Sequence, residues 1–518
     1  MPAIRWICIS DLHLGALNSV LTSVSADGEH VDKSSTSPVT SALCDGLRAL
    51  SQGHEPPQLI VAGDLFELAL SSTDDAAATF AQFIGCLRPG ADNAAVTPNI
   101  RFIPGNHDHQ LWSRARRDYY LEYLAGLPAD QPLQPAAHTT HLLPANEARP
   151  VRDRFIELLA ARADPAVPVV VEQSYPNLGL VNRSRSRAVV VSHGHFVESL
   201  YRMMSLLDTV FGQQSSDMIS PHLEADNGGW IDFFWSSMGD SGDVGTWSRS
   251  LYESLQSEKA IDAEIRAIRR AMNHRKGSRV RNYLEGAVVG GIMDRTAKTS
   301  LRRERHHPDV LSQKAQVGLL DYLDGPVATQ LAAEVGDPTD IAFVFGHTHK
   351  PFSDVRHPPG YAVPVAVFNT GGWVVDTPEP EPVKGASIIL IDDDLNVAVL
   401  QCYVQDVGDN DPGDNYAVRV EGPATAADNP LVTDLRARID PDRDPWRALA
   451  EATGATVRDR RRQLDARLSA EVVKLDDQRS GEIGSANGTR GVLPVGARSV
   501  LDDASEDDAE DGDEEGEI

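Results

Sequence analysis

Ile4-Arg5-Trp6-Ile7-Cys8-Ile9-Ser10-Asp11-Leu12-His13-Leu14-Gly15 opens as a short apolar strand and breaks at once into a loop carrying Asp and His. The same grammar recurs along the chain. Leu59-Ile60-Val61-Ala62 runs into Gly63-Asp64, and Ile100-Arg101-Phe102-Ile103 into Pro104-Gly105-Asn106-His107-Asp108. Ala188 to Val191 delivers Ser192-His193-Gly194-His195, and Ile341 to Phe345 delivers Gly346-His347-Thr348-His349. Apolar runs of four to six residues stopped by Gly or Pro read as buried strands. Between them Ala76 to Leu87 has helical spacing, so the expected class is α/β, a sheet layered with helices. Val363 to Phe368, Ala386 to Ile391 and Val397 to Tyr403 read as a closing antiparallel run, and Val167 to Val171 as a further strand. A sandwich of two sheets flanked by helices accommodates them all.

At 518 residues the chain exceeds one ordinary domain, and 41% hydrophobic with 24% charged residues gives ample core material. The expected division is a core over 1–195 and 341–405, a helical cap inserted over 196–340, a C-terminal helical extension over 406–475, and an acidic, disordered tail over 476–518. Loops beyond about 15 residues usually carry structure or function of their own, which is why 196–340 reads as an insertion. Within it Phe196 to Phe211, Leu251 to Asn273, Ser278 to Ile292 and Pro308 to Val335 read as helices; Val432 to Ile439 and Trp446 to Leu475 follow in the extension.

The net charge of −28 disfavours a protein that coats nucleic acid, although much of the excess lies in the run from Asp502 to Glu517. Four well-separated cysteines, Cys8, Cys44, Cys86 and Cys402, offer no Cys-x-x-Cys pair and fit a reducing cytoplasm. No signal peptide precedes the first strand, and no apolar run approaches a membrane span.

Asp11 and His13, two apart on an extended backbone, would point the same way, as would His347 and His349. Asp64 emerges where Gly63 allows close backbone approach, and its two oxygens can bridge two cations. Asn106 adds a neutral oxygen and His193 an imidazole. Mixed nitrogen and oxygen donors suit Mn, Fe, Zn, Co or Ni better than Ca or Mg, with Mn favoured here. Each motif alone is weak; five in order at strand exits are not. Held by only two carboxylates, two divalent cations would leave a positive field for an anionic substrate. Two metals about 3.5–4 Å apart clamp the attacking and leaving oxygens of a phosphate and lower the pKa of a bridging water.

In this pattern the chain resembles the calcineurin-like metallophosphoesterase superfamily over about Met1 to Tyr403, interrupted by the insertion. The resemblance implies a β-sandwich flanked by helices with a dinuclear metal centre. Carried over by motif, Asp11, His13 and His349 would bind the first metal, Asn106, His193 and His347 the second, and Asp64 both. His107 would contact the phosphate and protonate the leaving oxygen, oriented by Asp108. The implied activity is hydrolysis of a phosphate mono- or diester through a metal-bridging hydroxide. Ser10 to Gly15 and Gly63-Asp64-Leu65-Phe66-Glu67 look similar to bacterial enzymes that cleave a UDP-linked lipid pyrophosphate, from which His107 and His195 depart. A metal-dependent nuclease and, last, a non-catalytic scaffold are the other readings.

His195 reads as a packed or supporting residue and His109 as an exposed helix start. Asn369-Thr370-Gly371-Gly372-Trp373 suggests a tight turn near the site. Trp230, Phe233, Phe234 and Trp235 suggest an aromatic lip. Arg266, Arg269, Arg270, Arg275, Lys276, Arg279, Arg281, Arg302, Arg303 and Arg305 form a basic stretch that reads first as a solvated helix face. Its functional alternative is capture of an anionic substrate or peripheral contact with a membrane. The expected partner is a small phosphorylated substrate, with nucleic acid less favoured.

Overall fold

The computed structural model describes residues 2–88, 90–164, 168–205, 219–236, 309–405, 416–422 and 429–485. They form two mixed sheets and, among the described residues, nine α-helices. In the first sheet β1 (Ile4–Ile9), β2 (Gln58–Ala62), β3 (Asn99–Ile103) and β5 (Val170–Gln173) run parallel. β11 (Gly385–Asp392) pairs antiparallel with β1, followed outward by β12 (Val397–Val404) and β13 (Arg419–Glu421); β4 (Val151–Arg152) edges β5. In the second sheet β7 (Arg187–Ser192), β8 (Asp340–Phe345) and β10 (Val365–Asn369) run parallel, flanked by antiparallel β6 (Asn177–Val181) and β9 (Phe352–Arg356).

Strand alternation divides the core. Cys8, Ile60, Ala62 and Ile103 of the first sheet share one cluster with Val189, Val191, Val344 and Phe368 of the second. The opposite-facing Ile7, Ile9, Val61 and Phe102 pack with α1 (Pro38–Leu50), α2 (Thr73–Leu87) and α4 (Arg154–Ala163). Val190, Phe343, Phe345 and Val367 pack with α3 (His109–Gly126), α5 (Ser220–Ile231), α6 (Gln313–Tyr322) and α7 (Ala328–Glu334). Strands buried on both faces need no polar alternation, which explains their unbroken apolar runs. Burying a Val, Leu, Ile or Phe in such layers contributes about 1.5–3 kcal/mol each. Register then fixes the site: Val61 pairs with Ile9 and with Phe102, so β1, β2 and β3 end level with one another.

Three expectations need correction. Val363 to Phe368 does not join the antiparallel run: β10 lies in the second sheet, parallel to β8, whereas only β11 and β12 pair as expected. Phe196 to Phe211 is not one helix at its start but two 3₁₀ turns, His195–Val197 and Ser199–Arg202. The helix expected from Pro308 begins at Gln313 and is broken by a π turn at Leu323–Val327 containing Pro326, which lacks an N–H. Leu251 to Asn273, Ser278 to Ile292, the basic stretch and residues 486–518 of the acidic tail lie outside the described residues.

In the extension α8 (Pro430–Arg438) is followed by α9 (Trp446–Ser485), which runs past the expected onset of irregular chain at Asp476. Leu435, Leu449 and Val457 share the core of the first sheet. Gly46 of α1 admits the Trp446 ring so closely that a Cβ there would lie 2.8 Å from it. Arg460, buried, donates to the carbonyls of Ser19 and Thr22, pinning the loop after β1. Among the described residues no helix is long and apolar enough to cross a membrane.

Candidate metal centre

Every motif lies at the carboxyl end of a parallel strand: Asp11 and His13 beyond β1, Asp64 beyond β2, Asn106 and His107 beyond β3, His193 beyond β7, His347 and His349 beyond β8. The two sheets present these ends to one another, and the seven expected ligands converge. His13 Nε2 and His349 Nε2 stand 3.2 Å apart, with Asp11 Oδ1 3.5 Å from His349 Nε2. Asn106 Oδ1 lies 3.0 Å from His193 Nε2 and 2.9 Å from His347 Nδ1. Asp64 Oδ2 sits between the groups, 3.6 Å from His13 Nε2 and 3.4 Å from His193 Nε2. Asp11–His13–His349 and Asp64–His193–His347 each have the spacing of a cation site.

The outward nitrogens are equally ordered. His13 Nδ1 meets Glu67 Oε2 at 2.9 Å, His349 Nδ1 meets Asp376 Oδ2 at 2.7 Å, and His193 Nδ1 meets the Ala62 carbonyl at 3.0 Å. His347 Nε2 lies 3.3 Å from Glu198 Oε1, close enough for attraction but not aligned for a hydrogen bond. His13, His349 and His193 thus each bond an oxygen acceptor with one nitrogen and turn the other inward, as metal-ligating histidines do.

His193 decides what the inward atoms want. A carbonyl only accepts, so His193 Nδ1 carries the proton. Burial, with a smaller push from His347, lowers the ring's pKa to about 3, so it holds no second proton at neutral pH. Its Nε2 is therefore a bare lone pair, and it faces oxygens of Asn106 and Asp64. Such a cluster of electron pairs is relieved by a shared proton or by a bound cation, and the donor set fits a divalent transition metal.

The carboxylates respond to the same crowding. Burial, then the charges of Asp108 and Asp11, push Asp64 well above the usual carboxylate range. For Asp11 burial acts in the same sense, but His349, His193 and His13 outweigh it and hold it low. Burial alone would lower His349, yet Asp376 and Asp11 raise it. Lys384, buried, donates to Asp376 Oδ2 at 3.2 Å.

Backbone strain marks the same place. Asp11 (φ +52°), His13 (+45°), Asp64 (+48°), His347 (+69°) and His349 (+56°) are all left-handed. Among the described residues only Arg185 and Leu395 otherwise adopt such φ without being glycine. The extended geometry expected for Asp11 and His13 is therefore corrected: β1 ends at Ile9, and left-handed turns aim both side chains inward. The loops are laced by backbone bonds, Asp11 N–H to Gly63 O at 3.0 Å and His13 N–H to Asp64 O at 2.9 Å. Gly63 and Gly346 let them close, since an added Cβ would sit 2.2 Å from His193 Nδ1 and 2.1 Å from Asp11 Oδ2 respectively. The Gly371-Gly372 turn lies against the site as expected, where a Cβ on Gly372 would meet the His349 ring at 2.7 Å.

His107 lines the cavity over the centre with Asp64, Asn106, Tyr201, Thr348 and Lys384. Its Nδ1 pairs with Glu67 Oε1 at 2.7 Å, so the orienting role expected of Asp108 falls to Glu67. Asp108 instead accepts the backbone N–H groups of Gly105 (2.7 Å), Leu65 (2.7 Å) and Phe66 (3.2 Å), fastening the β2 and β3 loops together. Burial pushes Asp108 up to about 7 against those bonds. Glu67, Glu198 and Asp376 were not read from the sequence as site residues; they stand behind the histidines, beside the two carboxylates, Asp11 and Asp64, expected as ligands. The available signal for Glu67 was its place three residues after Asp64, within Gly63-Asp64-Leu65-Phe66-Glu67.

His109 is wholly buried rather than exposed. Its Nδ1 meets Asp232 Oδ1 at 2.7 Å, and its Nε2 meets Glu224 Oε2 and Tyr175 Oη, each at 3.1 Å. His195 is also buried and pairs with Tyr175 Oη at 3.1 Å, so it packs beside the centre as a supporting residue. The expected aromatic lip is divided. Phe233 is exposed, Trp230 donates to Leu200 O at 3.3 Å, and Trp235 rests against Tyr201, whose ring meets His347 at 5.0 Å; the Phe234 side chain lies outside the described residues. No model of a known protein family matches this chain, and neither does any curated protein.

Proposed function

We propose that this chain is a metal-dependent phosphoesterase, hydrolysing a phosphate mono- or diester, and that its two sheets and flanking helices form the four-layer sandwich of the calcineurin-like metallophosphoesterases. The observation that carries the reading is His193: a neutral imidazole, its proton committed to Ala62 O, with its lone pair turned toward the oxygens of Asn106 and Asp64. Asp11, His13 and His349 would hold one divalent cation, Asn106, His193 and His347 a second, and Asp64 both. When bound, such cations neutralise phosphate oxygens and make a water nucleophilic at neutral pH. The chain's own groups supply the rest. Glu67 holds the His107 ring, whose proton goes to the departing oxygen. Asp108 keeps the His107 loop seated on the Asp64 loop. Tyr201 and Thr348 wall the cavity.

The donor set favours Mn, with Fe, Zn, Co and Ni as alternatives. The four cysteines, all unpaired, agree with a reducing compartment. The test is hydrolysis of bis(p-nitrophenyl) phosphate and p-nitrophenyl phosphate by stripped, Mn-reloaded and Asp64→Asn protein. Activity should return with the metal, and Asp64→Asn should lose metal and turnover together. Full activity in the stripped protein would overturn the reading.

A further inference from the structure

Cys44 and Cys86 stand apart from the metal centre, on α1 and α2 respectively. Cys44 is fully buried and Cys86 only partly. Thr40 and Arg48 lie one turn before and one turn after Cys44, so all three share a face of α1. Both flanking residues touch Cys86. Its Sγ lies 4.0 Å from Thr40 O, and Arg48 Nη1 donates to the Cys86 carbonyl at 2.7 Å. Helical register therefore places Cys86 across from Cys44.

We propose that Cys44 and Cys86 are a reversible oxidation site, closing a disulfide between α1 and α2 in response to a hydroperoxide. Cys86 is the attacking sulfur. Cys44 beside it brings its pKa down to about 7 against partial burial, and the Arg48 charge adds to the effect. Thiolate attack breaks the peroxide O–O bond; the sulfur takes one oxygen as sulfenic acid, and the other leaves as water or alcohol. The Cys44 sulfur then attacks the Cys86 sulfur, giving up its proton as the S–O bond breaks and water departs. Two thiols and one hydroperoxide thus become one disulfide, one alcohol or water, and one water. Cys8 and Cys402 are internal controls, because burial alone pushes both thiols far up. The loops bearing Asp11 and Asp64 precede these two helices, so the bond would tie together the supports of both.

The test treats the full chain with hydrogen peroxide, blocks remaining thiols, and maps peptides without reduction. The expected product is a linked Cys44–Cys86 peptide, lighter by two hydrogens and separated by dithiothreitol. Cys44→Ser should instead leave a dimedone-reactive Cys86. Oxidation of Cys8 or Cys402 as fast as Cys86, or a Cys86 sulfinic acid with Cys44 still alkylated, would overturn the proposal. The decisive readout is on the unmodified sequence, so a variant that fails to fold leaves it intact, and it requires no hydrolytic activity.

Discussion

Glu67→Gln is the sharpest perturbation of the centre. One carboxylate serves two rings, through Oε2 to His13 Nδ1 at 2.9 Å and Oε1 to His107 Nδ1 at 2.7 Å. Both imidazole nitrogens can donate to it, and His107 and His13 hold it well below the usual carboxylate range although burial opposes them. Glutamine keeps the shape but replaces one oxygen by an NH2, which must face one of the rings and needs a lone pair there. If that ring is His13, its proton moves to Nε2 and points into the metal position, and metal affinity should fall roughly 10–100-fold. If it is His107, the ring can no longer carry two protons, and turnover should fall by up to about 10²–10⁴-fold on esters with poor leaving groups. Metal content by inductively coupled plasma mass spectrometry separates the first outcome, and a leaving-group series the second. A variant with wild-type metal stoichiometry and wild-type turnover on an alkyl ester would refute the assignment of Glu67.

His107→Ala should retain both metals and lose about 10²–10⁴-fold on poor leaving groups, with a smaller loss on p-nitrophenyl esters, read by steady-state kinetics. Gly63→Ala should push His193 from its place, lowering metal content below two per chain and stability by about 1–3 kcal/mol, read by metal analysis and thermal melts. His109 gives a pH signature. Burial alone would lower its pKa, but Glu224 and Asp232 raise it from 6.5 to about 10. The stability it contributes is whole below pH 6.5 and lost as pH climbs toward 10, with a slope of at most about 1.4 kcal/mol per pH unit. His109→Gln should flatten that part of the profile in denaturant melts; an unchanged slope would exclude the pair as its source.

The candidate ligand positions were legible because strand exits are punctuated by Gly and Pro, and because Asp, Asn and His recur at five such exits. What surrounds them was not. Glu198 and Asp376 each support a histidine from a different part of the chain, and neither spacing has a period to read. His109 follows Asp108 at the start of a helix, where solvent exposure is the ordinary outcome. Its acidic partners come 115 and 123 residues later, from the insertion, and only the folded chain joins them. β10 carries the same apolar signature as β11, so its transfer to the other sheet was hidden, since pairing direction leaves no mark on composition. The left-handed φ of five candidate ligands was equally invisible, because Asp and His tolerate that conformation without announcing it.

Asp11, His13, Asp64 and Asn106 come from the first sheet, and His193, His347 and His349 from the second. Any ion bound among them therefore works as a rivet through two plates. Sliding one plate by a single residue would pull the rivet's two ends out of line, so substitutions in the apolar seam between Cys8, Ile60, Val191 and Val344 should be felt as changed ion affinity, though none of those side chains bears a donor for it.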